Sequence, residues 1–73
     1  MRILVVEDEA ELREQLQQML QQGGYAVDTA TDGREALFMG REYPFDLAVV
    51  DIGLPIMSGV EVIQQWRQLG RDF

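Results

Sequence analysis

The chain has 73 residues, with six arginines and no lysine against thirteen carboxylates, neither cysteine nor histidine, and a net charge of −7. These counts exclude disulfides, thiolate metal sites and any imidazole ligand or base, and the acidic balance disfavours direct contact with nucleic-acid phosphates. The length holds one small domain at most, the 47% hydrophobic content is that of a globular chain rather than a disordered tail, and no apolar run reaches the length of a membrane span.

Arg2 to Val6 is a short, β-branched, almost wholly apolar run. It predicts a strand buried on both faces, as in a parallel sheet. It is too short for a signal peptide and runs straight into acids, so a cytoplasmic location is expected. Glu7-Asp8-Glu9 breaks the run, and Ala10 to Gln22 reads as a helix with Leu12, Leu16, Met19 and Leu20 as its apolar stripe and Arg13, Glu14, Gln17, Gln18 and Gln21 on the other face. Gly23-Gly24 stops it, since glycine suits the left-handed position after a helix. Tyr25 to Ala30 is the second predicted strand. Asp32-Gly33-Arg34-Glu35 fits a capping pattern, and the helix it opens runs to about Glu42 with Ala36, Leu37 and Gly40 on its inner side. Tyr43-Pro44 ends that helix. Phe45 to Val50 is the third predicted strand, closed by Asp51. Ile52 to Met57, with Gly53 and Pro55, is a loop. Ser58 can cap a third helix with Val60, Ile63, Trp66 and Leu69 as candidate buried positions, and Gly70 ends it. Alternating strands and helices joined by short loops imply an α/β fold with parallel pairing through right-handed crossovers.

Ligands of an open parallel sheet bind outside the carboxyl ends of its strands. Glu7 and Asp8 follow the first strand and Asp51 follows the third. Each has a structural explanation. Acids suit a helix N-terminus, and Asp51 could be a turn residue before Gly53 and Pro55. If the first and third strands are neighbours, however, the three carboxylates converge. Like charges held together need a cation or a proton, and an all-oxygen cluster suits a hard ion such as Mg²⁺, or Mn²⁺ in its place. A phosphate cradle of glycine amides and lysine is not present after the first strand.

Ile3-Leu4-Val5-Val6-Glu7-Asp8-Glu9, Asp46-Leu47-Ala48-Val49-Val50-Asp51 and Leu54-Pro55-Ile56-Met57-Ser58-Gly59 together resemble the receiver domain of two-component response regulators, in detail the PhoP/OmpR-like group. The resemblance covers residues 1–73. It implies a flavodoxin-like, doubly wound sheet of order 2-1-3-4-5, of which this chain supplies the first three βα units, with strand order 2-1-3. It implies Asp51 as the phosphoacceptor, Asp8 as a direct Mg²⁺ ligand, Glu7 as a second acid acting through water, and the backbone carbonyl of Gly53 as a third protein ligand. Pro55 and Gly59 are structural in this reading. A sensor histidine kinase is the implied phosphoryl donor. The resemblance also implies that DNA binding belongs to a winged-helix domain further along the parent protein, and it implies no membrane contact.

The same resemblance places a phosphoryl-sensing Ser or Thr and a Lys beyond these residues, so an incomplete module serving only interaction or dimerisation is the alternative. A haloacid-dehalogenase-type phosphatase also uses an aspartate after a strand, but needs a second Asp where Gly53 stands. With order 2-1-3 the third strand is an edge, and its apolar Leu47 to Val50 carries no charge to block pairing. A homodimer joined along that strand is therefore expected.

Overall fold

Arg2–Val6 form β1, the central strand of a three-stranded sheet of order β2-β1-β3, in a computed structural model that describes all residues from Met1 to Phe73. β2 spans Ala26–Ala30 and β3 spans Leu47–Val50; α1 (Ala10–Gln22), α2 (Gly33–Glu42) and α3 (Gly59–Gln68) alternate with them. Both pairings are parallel, with Val5 level with Thr29 on one side and Val49 on the other. Ile3, Leu4, Val5 and Val6 are all buried, so β1 is covered on both faces as its apolar run predicts. Side chains alternate across a strand. Leu4 and Val6 therefore face α2 and α3 and join Ala30, Ala36, Phe45, Leu54, Val62 and Trp66 in the core, while α1 packs against β1 and β2.

The helix ends follow the chemistry of their caps. Asp32 accepts a hydrogen bond from the Glu35 N–H at 2.9 Å, and Ser58 accepts one from the Glu61 N–H at 3.2 Å. Gly24 after α1 and Gly70 after α3 take the left-handed φ values of 93° and 81°. Tyr43, before Pro44, is extended and closes α2. Trp66 fills the space between α2 and α3. It donates to the Leu37 carbonyl at 3.4 Å and stacks edge-on against Phe73 at 4.8 Å. A Cβ on Gly40 would fall 2.2 Å from the indole nitrogen, so this helix contact admits only glycine on the α2 side.

The structure corrects three expectations. The buried face of α3 is Gly59, Val62 and Trp66, whereas Val60, Ile63 and Leu69 are exposed. The ladder of β3 begins at Leu47 rather than Phe45: Phe45 is buried but lies ahead of the ladder, and Asp46 instead exchanges bonds with Arg2, its carboxylate accepting from the Arg2 N–H at 2.7 Å and its N–H donating to the Arg2 carbonyl at 2.8 Å. Likewise Tyr25 precedes β2. In the α1 stripe Leu16 and Leu20 are half-buried, while Leu12 and Met19 are exposed. Leu47 and Val49, which the register places on the Ile3 and Val5 face, are exposed on the same side. No helix is long and apolar enough to cross a membrane.

Candidate functional site

The adjacency of β1 and β3 decides where the acids meet. The Glu7 N–H donates to the Ala30 carbonyl at 3.1 Å, and the Asp51 N–H donates to the Val6 carbonyl at 3.0 Å. Each extends the sheet ladder by one step beyond the last strand residue, so both acids leave the same carboxyl edge from fixed backbone. Carboxylate oxygens of Glu7, Asp8 and Asp51 lie within 4.8 Å of one another. Glu7 is buried, Asp51 half-buried and Asp8 exposed, so the cluster opens to solvent from a closed floor.

No positive side chain neutralises these acids. The ion pairs of the chain are Arg2–Asp28 and Arg41–Glu42, both remote from the site. The Glu7 carboxylate accepts from the Glu9 N–H at 3.1 Å, which by itself favours ionisation. Burial, a hydrogen bond with the Asp8 carboxyl, and the charges of Asp51 and Asp8 outweigh it and push the Glu7 pKa above its ordinary value of 4.5. An all-oxygen donor set with unbalanced negative charge can hold a hard divalent cation.

Asp51 is held by its main-chain N–H on the Val6 carbonyl and by one carboxylate oxygen. Its Oδ1 accepts from the Gly53 N–H at 3.1 Å, while Oδ2 receives no hydrogen bond from the chain. Gly53 sits beside that carboxylate, and a Cβ there would lie 3.9 Å from Oδ1. Gly59 is tighter: its N–H donates to the Ile52 carbonyl at 3.0 Å, and a Cβ would fall 2.4 Å from the Asp51 carbonyl oxygen. Thus Gly59 does more than start α3; it lets the helix press against the backbone that carries Asp51. Between them, Ile56 holds φ 72° and is 71% exposed, an unusual conformation for a β-branched residue.

Periodicity alone assigns Arg13 to the solvent face of α1. Its guanidinium instead turns back over the loop before the helix, donating to the Glu7 carbonyl at 3.0 Å and the Asp8 carbonyl at 3.5 Å. A basic residue one turn into a helix whose preceding loop is crowded with acids is the signal available in the sequence.

Residues 3–73 match the family model described as the response regulator receiver domain. The chain is 49% identical over 73 residues to the two-component response regulator PhoP of Pseudomonas aeruginosa, which covers all of this chain and 32% of that protein. Among solved structures, the response regulator TrrA from Thermotoga maritima in complex with Mg²⁺ and BeF aligns with a TM-score of 0.88 at 46% identity, covering 92% of this chain and 58% of that one. The same regulator in complex with the histidine kinase ThkA aligns with a TM-score of 0.86 at 46% identity over the same shares. The fold is therefore flavodoxin-like, with the first three strands in the order found there. This chain spans about a third of the length of the curated relatives it matches. With the family model covering nearly every residue and the site acids converging at the expected sheet edge, the chain belongs to the response-regulator receiver family.

Proposed function

We propose that Asp51 is the phosphoacceptor of a two-component response regulator, taking a phosphoryl group from a sensor histidine kinase and thereby controlling a transcription-regulating output domain in the parent protein. The observation that carries this reading is the convergence of the Glu7, Asp8 and Asp51 carboxylates within 4.8 Å at the carboxyl edge of the sheet, with no arginine paired to any of them. Asp8, Asp51 and the Gly53 carbonyl would hold Mg²⁺ or Mn²⁺ directly, with the buried Glu7 acting through water. When bound, the ion supplies countercharge for the oxygens of the transferred group.

The residues of the chain do the rest. Gly53 engages Oδ1 and orients the carboxylate, leaving Oδ2 as the free nucleophile. A P–O bond forms to Oδ2 as the P–N bond of phosphohistidine breaks, and the imidazole nitrogen takes up a proton. The product is an acyl phosphate on the protein, so the module acts as an acceptor rather than a turnover enzyme. The PhoP relative of Salmonella typhimurium, described as a virulence transcriptional regulatory protein, supports an output domain beyond residues 1–73, here the first three βα units of the receiver, and a cytoplasmic location belongs to the same proposal. The TrrA–ThkA complex supports a kinase partner.

Phosphoramidate, a small P–N donor, tests the transfer step. With Mg²⁺ it should give an acyl-phosphate signal by phosphorus NMR in the wild type and none in Asp51→Asn. Steady hydrolysis of a phosphate ester without an adduct would favour the phosphatase alternative. The exposed apolar Leu47 and Val49 on edge strand β3 support, as the assembly of this chain, antiparallel pairing with a second copy. Sedimentation at micromolar concentration should show a dimer that Val49→Lys dissociates. A folded wild-type monomer would refute that pairing.

A further inference from the structure

The loop between β1 and α1 carries two of the three clustered acids, yet α1 opens without a side-chain cap. Glu9 occupies the capping position and makes no capping hydrogen bond. Arg13 supplies the order instead. Side chains on a helix lean toward its N-terminus, and the Arg13 side chain follows that direction until one guanidinium nitrogen bridges two consecutive carbonyls, those of Glu7 and Asp8. Glu7 is anchored a second time by its own N–H on Ala30. For Asp8 no other hydrogen bond reaches the main chain.

The choice of acceptor is informative. Glu7, Asp8, Glu9, Glu11 and Glu14 all lie within six residues of Arg13 in sequence, and Arg13 forms an ion pair with none of them. Its hydrogen bonds go to main-chain carbonyls, and it engages no carboxylate oxygen of these acids. The two N–H bonds of that single nitrogen lie in the rigid guanidinium plane, so they meet two successive carbonyls in a set geometry, whereas the donors of a lysine ammonium rotate.

We infer that Arg13 is a positioning residue for the cation site: it fixes the peptide groups of Glu7 and Asp8 so that their carboxylates point at one ion together with Asp51. This rests on the metal reading proposed above. Residues that orient ligands without touching the ion commonly change metal affinity by about 10–100-fold when removed.

Calorimetric titration of Mn²⁺ into the protein, Arg13→Gln and Arg13→Lys tests it, together with metal-free amide exchange at Glu7, Asp8 and Glu9. Arg13→Gln should bind Mn²⁺ about tenfold more weakly and exchange faster in this loop, with the sheet amides of β1 unchanged. Arg13→Lys, which keeps the charge and guards against a Gln variant that fails to fold, should recover only part of the affinity. Wild-type affinity in both variants would overturn the inference, and so would faster loop exchange with unchanged affinity. Full recovery by Lys would show that any cationic N–H donor holds the loop and would refute a role specific to the guanidinium. Tighter Mn²⁺ binding in Arg13→Gln, the result expected if the arginine acts only by repelling the cation, would overturn the inference. A wild type that binds no Mn²⁺, or binds it as well after Asp8→Asn, would instead refute the metal reading and this inference with it.

Discussion

Two glycines flank the candidate phosphoacceptor, and the structure separates their roles sharply. In Gly59→Ala the new Cβ would lie 2.4 Å from the Asp51 carbonyl oxygen, 3.0 Å from its carbonyl carbon and 2.9 Å from a Val50 methyl. The first two are backbone atoms at the end of β3, so no flexible side chain can yield. Ordinary contact begins at 3.4 Å, so the start of α3 and the end of β3 must part by about 1 Å. Overpacking of this kind costs about 1–3 kcal/mol, and the better helix propensity of alanine returns up to about 1 kcal/mol. A net loss of about 1–2 kcal/mol in urea unfolding is expected. The larger effect should fall on chemistry, because a displacement of about 1 Å at a reacting group can lower a rate by about a hundredfold. Gly53→Ala is the control: its Cβ meets only Asp51 Oδ1, at an ordinary 3.9 Å, and its φ is not left-handed. Acetyl phosphate labelling with Mg²⁺ should therefore be strongly slowed in Gly59→Ala and near wild type in Gly53→Ala. Equal labelling of Gly59→Ala and wild type, or the reverse order of the two variants, would refute the reasoning.

Glu7→Gln should stabilise the metal-free protein at neutral pH. The Glu7 pKa is raised in the folded state, so its ionised form opposes folding above that pKa, and the opposition vanishes below the ordinary value of 4.5. The gap between variant and wild type should close as pH falls through this range, and saturating Mg²⁺ should shrink it at pH 7; a gap that widens with acid would contradict the electrostatic reading. Ile56→Asn should also stabilise, by about 1 kcal/mol, because it relieves a left-handed β-branched residue while removing a side chain that is 71% exposed. A lower urea midpoint for this variant would show that Ile56 makes a contact worth more than its strain.

The sequence exposes most of this fold because the informative residues are local. β1 is an unbroken apolar run, and Asp32, Ser58, Gly24 and Gly70 mark helix ends through their own backbone preferences. The inner face of α2 is legible for the same reason, from Ala36 and Gly40. The face of α3 is not. Val60, Ile63, Trp66 and Leu69 recur every three residues, and at 3.6 residues per turn that series drifts until Val60 and Leu69 stand roughly 180° apart. Gly59, Val62 and Trp66 keep to one side. A glycine carries no apolar signal, so the member of that face nearest Asp51 escapes a search for hydrophobic residues.

The site divides along the same line. The identities of Glu7, Asp8 and Asp51 are visible as acids ending strands, but their convergence depends on β3 lying beside β1, a long-range fact. Arg13 depends on a side chain reversing over the preceding loop, which a helical wheel hides.

The most direct measurement is peptide mapping by mass spectrometry after treatment with acetyl phosphate, with and without Mg²⁺, on wild type and Asp51→Asn. A single phosphoryl group on Asp51, dependent on Mg²⁺ and absent from Asp51→Asn, is the predicted result. A phosphoryl group on any other residue, or labelling of Asp51→Asn equal to wild type, would contradict the assignment of Asp51 as the acceptor.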